Sequence, residues 1–185
     1  MFDVIYQSSR KPFKYWANVT VQDFLKYFCS SNNMDGAKKY CMKVEDAILS
    51  DSDLIPFFGY SSPIFIYCLD ITVAIKYNNG IQKIAASNQM TIGDLRDLFY
   101  QQYISGNGSK SDAKSYRLFN VATKERVLLD EGALLQTLIT RGNLNLELAQ
   151  PLFVNFNGKM TVHLKHKFKT VGDFLSVLLF SWIEM

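Results

Sequence analysis

The amino-acid sequence predicts an α+β chain built from one repeated unit, present in two complete copies and a third partial copy. Three observations lead to this prediction. The 185 residues are 48% hydrophobic and 20% charged, a composition typical of a folded chain. The pattern Thr, β-branched residue, any residue, Asp, large apolar residue begins at Thr20, Thr91 and Thr170. Finally, a similar order of short strands surrounds each occurrence.

Each copy begins with a predicted β-hairpin. The first strands are residues 2–6, 71–76 and 152–156, and the returning strands are residues 13–19, 81–86 and 160–168. Asn-Gly steps between the strands of the second and third copies are strong hairpin signals, because both residue types tolerate a positive φ. Ser8-Ser9 is the predicted turn of the first copy.

A capped helix follows each hairpin. The Thr side chain of the repeated pattern can accept from a backbone N–H one turn into the helix. The Asp three residues later lies in the first turn, where a negative charge is favourable and can reach back to the cap. Apolar residues then recur at helical spacing in all three copies. We therefore expect a helix to start directly after Thr20, Thr91 and Thr170.

The first two copies continue alike after the helix. Each is predicted to add a third strand, a short fourth strand, a turn of helix and a closing strand. These are residues 40–44, 47–49, 53–56 and 64–69 in the first copy, and 116–121, 127–130, 133–136 and 144–148 in the second. The predicted domains are residues 1–69, 70–149 and 150–185. Because the linkers are short, we expect the domains to touch.

This element order resembles the ubiquitin-like β-grasp fold. Tandem lobes of this kind are most similar to the amino-terminal part of FERM or talin-head proteins, or to Ras-association domains. The third copy departs from the family pattern because its last three strands are missing. We favour the explanation that the sequence is a fragment of a longer protein; the alternative is that another chain completes the half-domain. Either one would cover the apolar face of the third predicted helix, and an uncovered face of this kind is rare in monomers.

Composition excludes several protein classes. The net charge of +3, from 20 basic and 17 acidic residues, is too small for a nucleic-acid-binding footprint. The amino terminus has no signal-peptide pattern, and the longest apolar stretch, residues 174–183, is shorter than the ~20 residues of a membrane span. Three cysteines without a Cys-x-x-Cys pair fit a reduced compartment. We expect a cytoplasmic protein.

No catalytic or cofactor-binding motif occurs in the sequence. Cys29, Cys41 and Cys68 fall on predicted core elements and are interpreted as small apolar residues. His163 and His166 lie three apart on a strand and so point to opposite faces, which disfavours a shared metal site. No copy ends in the Gly-Gly that a conjugated modifier needs. The sequence therefore predicts no enzyme, no cofactor and no metal.

Two basic segments are the candidate partner-binding sites. In the third copy, strict alternation predicts an inward apolar row and a lysine stripe on the other face. The inward row is Met160, Val162, Leu164 and Phe168, and the stripe includes Lys159, Lys165, Lys167 and Lys169. The first copy offers Arg10 and Lys11 just before its predicted second strand, and Lys14 and Trp16 on that strand. If Trp16 is exposed beside the lysines it is a candidate binding anchor; the alternative is that the register is shifted and Trp16 belongs to the core.

The family resemblance implies what these segments would bind. Ras-association domains use the second strand as an open sheet edge that pairs with a small GTPase, with basic side chains facing an acidic surface. We therefore expect an intracellular adaptor that binds a small GTPase or an anionic membrane. The alternatives are a docking module of the ubiquitin system, a structural subunit of a larger complex, and a stripe that is merely solvated.

Overall fold

The structure, a computed structural model, confirms an α+β architecture. It describes residues 2–13, 18–45, 47–55, 63–105, 110–121, 126–140, 145–156, 159–164 and 170. Within these ranges the chain forms two five-stranded sheets, each with a long helix, and a separate two-stranded hairpin.

The first copy is a mixed sheet packed on one helix. Its elements are β1 (Phe2–Tyr6), β2 (Ser9–Phe13), α1 (Val21–Ser31), β3 (Tyr40–Val44), β4 (Ala47–Leu49) and β5 (Ile64–Cys68). The strands are arranged in the order β2-β1-β5-β3-β4, with β1 parallel to β5 and the other pairs antiparallel. Helix α1 covers one face of this sheet.

The second copy repeats this arrangement. Its elements are β6 (Ile71–Tyr77), β7 (Gly80–Ala86), α2 (Ile92–Tyr103), β8 (Arg117–Asn120), β9 (Val127–Leu128), α3 (Leu135–Thr140) and β10 (Leu146–Ala149). A short 3₁₀ helix (Lys110–Ser115) lies between α2 and β8. The strand order is β7-β6-β10-β8-β9, again with the first and last strands of the copy parallel.

The predicted helix caps are confirmed in both complete copies. Asp23 N donates to Thr20 Oγ1 over 3.1 Å, and Asp94 N donates to Thr91 Oγ1 over the same distance. In the second copy Asp94 also accepts from the Thr91 N–H, which completes a capping box. Thr170 itself is described, but the residues of its predicted helix lie outside the described part of the chain.

The returning strand of the first hairpin was predicted too late in the sequence. The turn is Gln7-Ser8, with φ of 47° and 64°, and Tyr6 pairs directly with Ser9. Two left-handed residues in succession match the twist of a hairpin, so the chain returns at once and β2 ends at Phe13, where we expected it to begin. Residues 14–17 lie outside the described ranges.

The turn of helix expected at residues 53–56 is absent from the described residues 53–55, whereas its counterpart in the second copy extends into α3. Residues 51–55 instead run beside the start of α1. The carbonyls of Asp51 and Asp53 accept from the N–H groups of Gln22 and Val21 over 3.0 Å. These hydrogen bonds satisfy donors that a helix start leaves unpaired.

The two copies pack into four layers, in the order α1, first sheet, α2, second sheet. Alternate residues of β3 face α1, where Met42 is fully buried against Phe28. The intervening residue Cys41 belongs instead to the core formed by α2 and the second sheet, together with Tyr67. The first sheet is therefore covered on both faces, and the expected contact between the copies is present.

Strands β11 (Pro151–Phe156) and β12 (Lys159–Leu164) form the last described element, an antiparallel hairpin. Val162 was predicted to point inward, but it is 41% exposed, and Phe153, its cross-strand partner, is 48% exposed. Alternation alone could not settle this, because burial requires a covering element, and no described helix or sheet covers this pair.

Candidate functional site

Strand β2 is the edge of the first sheet. It pairs with β1 on one side, and no strand pairs with its outer side within the described part of the chain. Four successive residues, from Ser9 to Pro12, are exposed, and only Phe13 turns into the core against Phe24 and Phe28. An edge of this kind presents backbone N–H and C=O groups to a partner strand, although Pro12 contributes no N–H.

The two basic side chains of this edge have different electrostatic surroundings. Arg10 pairs with Asp3 on β1, with Nη2 at 2.6 Å from Oδ2, so its charge is locally balanced. Lys11 instead donates from Nζ to Oδ1 of Asn32 over 2.7 Å. Because that acceptor is a neutral amide, Lys11 keeps a net positive charge at the sheet edge.

Asn32 links the edge strand to the end of α1. It is the C-cap residue of the helix, and its Nδ2 donates to the Phe28 carbonyl over 2.8 Å. The Phe28 carbonyl also accepts from the Asn32 backbone N–H over 3.1 Å, so the side-chain amide adds a second hydrogen bond there and holds Lys11 with its oxygen. The contact between Lys11 and Asn32 could not be predicted from a local pattern, since the two residues are 21 positions apart.

The structure describes only part of the predicted basic set. Lys11 lies on β2 as an exposed residue, and Lys159 lies at the start of β12, where it pairs with Phe156. The remaining candidates fall outside the described residues: Lys14, Trp16, Lys165, Lys167 and Lys169. The lysine stripe and the Trp anchor thus stay predictions.

A buried ionic cluster joins the two copies. Asp94, whose side chain is 5% exposed, accepts from the Tyr67 hydroxyl over 3.0 Å and lies 2.6 Å from Lys43 Nζ. Lys43 also lies over the ring of Phe65, 6.0 Å from its centre. One carboxylate therefore caps α2 and ties that helix to the first sheet.

Sequence reasoning identified Asp94 only as a capping residue. One signal for its second role was available in β5, which reads Ile-Phe-Ile-Tyr-Cys and is apolar at every position. A strand that is apolar on both faces is typical of a sheet covered on both sides. The covering element and the partner of Lys43 could not be read from that pattern.

A cleft of about 700 Å³ opens where the two copies meet. Helix α1 forms one wall, and Leu98, Gln101 and Gln102 of α2 form the other. The ends of β3 and β4 form its floor, and Gln101 Nε2 donates to Ser50 Oγ across the junction. The cleft was not predicted from the sequence, because it depends on how the two copies pack against each other.

The three thiols do not have the character of reactive nucleophiles. All three are buried, and burial, reinforced by the carboxylates of Asp94 and Asp51, raises the pKa of Cys41 to about 12. Burial also raises the pKa of Cys29 and of Cys68. A raised pKa leaves little thiolate near neutral pH.

Two features are absent from the described residues. No group of three or more His, Cys, Asp or Glu side chains there could hold a metal ion. No helix within the same residues is long and apolar enough to cross a membrane. Neither result concerns the residues outside those ranges.

The sequence matches no protein-family model and no curated protein sequence.

Proposed function

We propose that the two five-stranded units are ubiquitin-like β-grasp domains, and that the chain is a non-catalytic intracellular adaptor of the FERM or Ras-association kind. The strand order 2-1-5-3-4, with parallel first and last strands, supports the fold assignment in both copies. The helix between the second and third strands supports it too. The partner we favour is a small GTPase, which docks on the edge strand β2.

One observation carries the functional proposal: the exposed edge strand β2 bears a lysine, Lys11, that forms no ion pair with any of the described residues. Strand addition to an open edge supplies main-chain hydrogen bonds that are independent of sequence. Charge complementarity then selects the partner and raises its association rate. Lys11 supplies that charge, because it is held by the neutral amide of Asn32. Arg10 would first have to break its ion pair with Asp3 before it could bind a carboxylate of the GTPase.

The experiment measures binding of a Ras-type GTPase, loaded with a non-hydrolysable GTP analogue, by isothermal titration calorimetry. We expect Lys11→Glu to weaken binding at least ~10-fold, because it reverses a charge at the contact. Raising the salt concentration from 50 to 300 mM should weaken binding of the unaltered chain as well.

Lys83→Glu is the matched control, because Lys83 is an exposed lysine on β7, the corresponding edge of the second sheet. Far-UV circular dichroism must show that both variants stay folded. Equal affinity of Lys11→Glu and the unaltered chain would contradict the proposal. Binding to vesicles of phosphatidylcholine and phosphatidylserine, with none to the GTPase, would replace the protein partner with an anionic membrane.

A further inference from the structure

The cleft between the copies combines a positive rim with an apolar interior. Lys26 lies on α1, and Lys38 and Lys39 lie on the segment that leads into β3. Lys26 Nζ lies 3.9 Å from Oδ1 of Asp23, and both side chains are largely exposed. Neither Lys38 nor Lys39 has an ion-pair partner among the described residues. Among the described residues that line the cleft, three are lysines and one, Asp51, is acidic, a net charge of +2. Asp23 beside Lys26 reduces the net charge at the rim to +1.

The interior is more apolar than polar and comes from both copies, with Ser50, Gln101 and Gln102 among its polar lining residues. Leu25 and Leu49 belong to the first copy and Leu98 to α2 of the second, and all three line the cleft. A volume near 700 Å³ lies within the usual range of small-molecule sites, which often form at domain junctions. Such a site suits a ligand with an apolar body and a negatively charged end.

We propose that this cleft binds an amphipathic organic anion, namely a carboxylate with an unbranched apolar chain. The carboxylate contacts Lys38 and Lys39 at the rim, and the chain lies between α1 and α2 over the leucines. The apolar chain supplies most of the affinity through burial. The lysines select against neutral and cationic amphiphiles of the same length. This site is separate from the β2 edge and does not depend on the proposed adaptor function.

The proposed ligand contacts both copies, so its binding is linked to their packing. A ligand that binds only the assembled junction stabilises it, and at ligand concentrations above Kd this stabilisation grows with the logarithm of the ligand concentration divided by Kd. Thermal unfolding of the full chain should therefore shift to higher temperature with added ligand.

Dodecanoate, at concentrations where it is monomeric, is the probe, and titration calorimetry on the full chain is the measurement. The expected result is saturable 1:1 binding, with no binding of dodecyltrimethylammonium and weaker binding of dodecanol. Replacing both rim lysines, Lys38→Gln with Lys39→Gln, should weaken dodecanoate binding at least ~10-fold, since two charge contacts are lost. The matched control is Lys76→Gln with Lys83→Gln, which removes two exposed lysines of the second sheet that do not line the cleft.

A second variant tests the position of the site. Gly36 lines the cleft, and an added Cβ there meets no heavy atom within 4 Å. Gly36→Phe should therefore fold and fill part of the cleft, weakening binding at least ~10-fold through overlap with the ligand. Any one of three results would overturn the proposal: no saturable binding of dodecanoate, equally tight binding of the cationic amphiphile, or unchanged affinity for dodecanoate in both cleft variants. Tight binding of an acidic peptide with none of dodecanoate would also overturn it.

Discussion

The carboxylate of Asp94 offers a direct measure of how strongly the two copies depend on each other. Asp23 and Asp94 occupy the same position of the repeated Thr-x-x-Asp pattern, and each follows a capping threonine. Asp23 on α1 is exposed, whereas Asp94 on α2 is buried against the first sheet. The same substitution at the two sites therefore separates the local helix cap from the contact between copies.

The expected magnitudes follow from the partners of each side chain. Asp23→Ala removes an exposed contact near the helix start, so the loss should be at most ~1 kcal/mol. Asp94→Ala removes the hydrogen bonds from Tyr67 and Thr91 and leaves the ammonium of Lys43 largely buried without its partner. Breaking a buried pair in this way typically costs about 3–5 kcal/mol.

Urea unfolding of the full chain, followed by far-UV circular dichroism, measures both free energies. A double-mutant cycle isolates the ion pair: Lys43→Met combined with Asp94→Asn should recover part of the loss, with a coupling energy of about 1–3 kcal/mol. Losses for the two alanine variants within ~0.5 kcal/mol of each other, or a coupling energy near zero, would refute the argument that Asp94 holds the copies together.

Three other predictions concern buried and basic groups. The pKa of Cys41 is about 12 in the folded chain and about 9 in the unfolded chain, so the folded chain holds this proton more tightly. The resulting contribution to stability is complete below pH 9 and is lost as the pH rises toward 12. In urea unfolding, the free energy of unfolding should therefore fall less between pH 8.5 and 10.5 for Cys41→Ala than for the unaltered chain. Glu147→Gln should destabilise the second copy by ~1–3 kcal/mol in urea unfolding, because it removes the negative charge that pairs with Arg126 over 2.7 Å; a loss below ~0.5 kcal/mol would contradict this. Replacing three of the four stripe lysines with Glu, namely Lys165, Lys167 and Lys169, should abolish binding to a GTPase or to anionic vesicles without unfolding the first two copies. Unchanged binding in co-sedimentation and calorimetry would eliminate the stripe as a site.

Local pattern was sufficient for most of the secondary structure. Caps at Thr20 and Thr91 were predictable, because an N-cap hydrogen bond joins residues only three positions apart. The repeat itself helped, since a weak signal in one copy was supported by the same signal in the next. The first returning strand was misplaced because Gln7 and Ser8 adopt left-handed conformations without the Asn or Gly that normally signals them.

Burial of strand residues was less predictable, because alternation gives two faces but does not say which element covers them. Lys43 alternates with core residues and would have been assigned to solvent, yet its side chain is only 17% exposed. Val162 illustrates the reverse case, with an apolar residue left exposed beside Phe153. In both cases the deciding factor is the presence or absence of a neighbouring layer.

The sequence by itself determined the repeated units, their helix starts and the order of their strands, because these depend on turn chemistry, capping and the spacing of apolar residues over a few positions. Only the tertiary structure decided that α2 lies between the two sheets, that Asp94 binds Lys43 and Tyr67, and that a cleft opens at the junction. Those features join residues 27 to more than 50 positions apart, and such contacts depend on how the surfaces of the two units pack against each other, which no local pattern specifies.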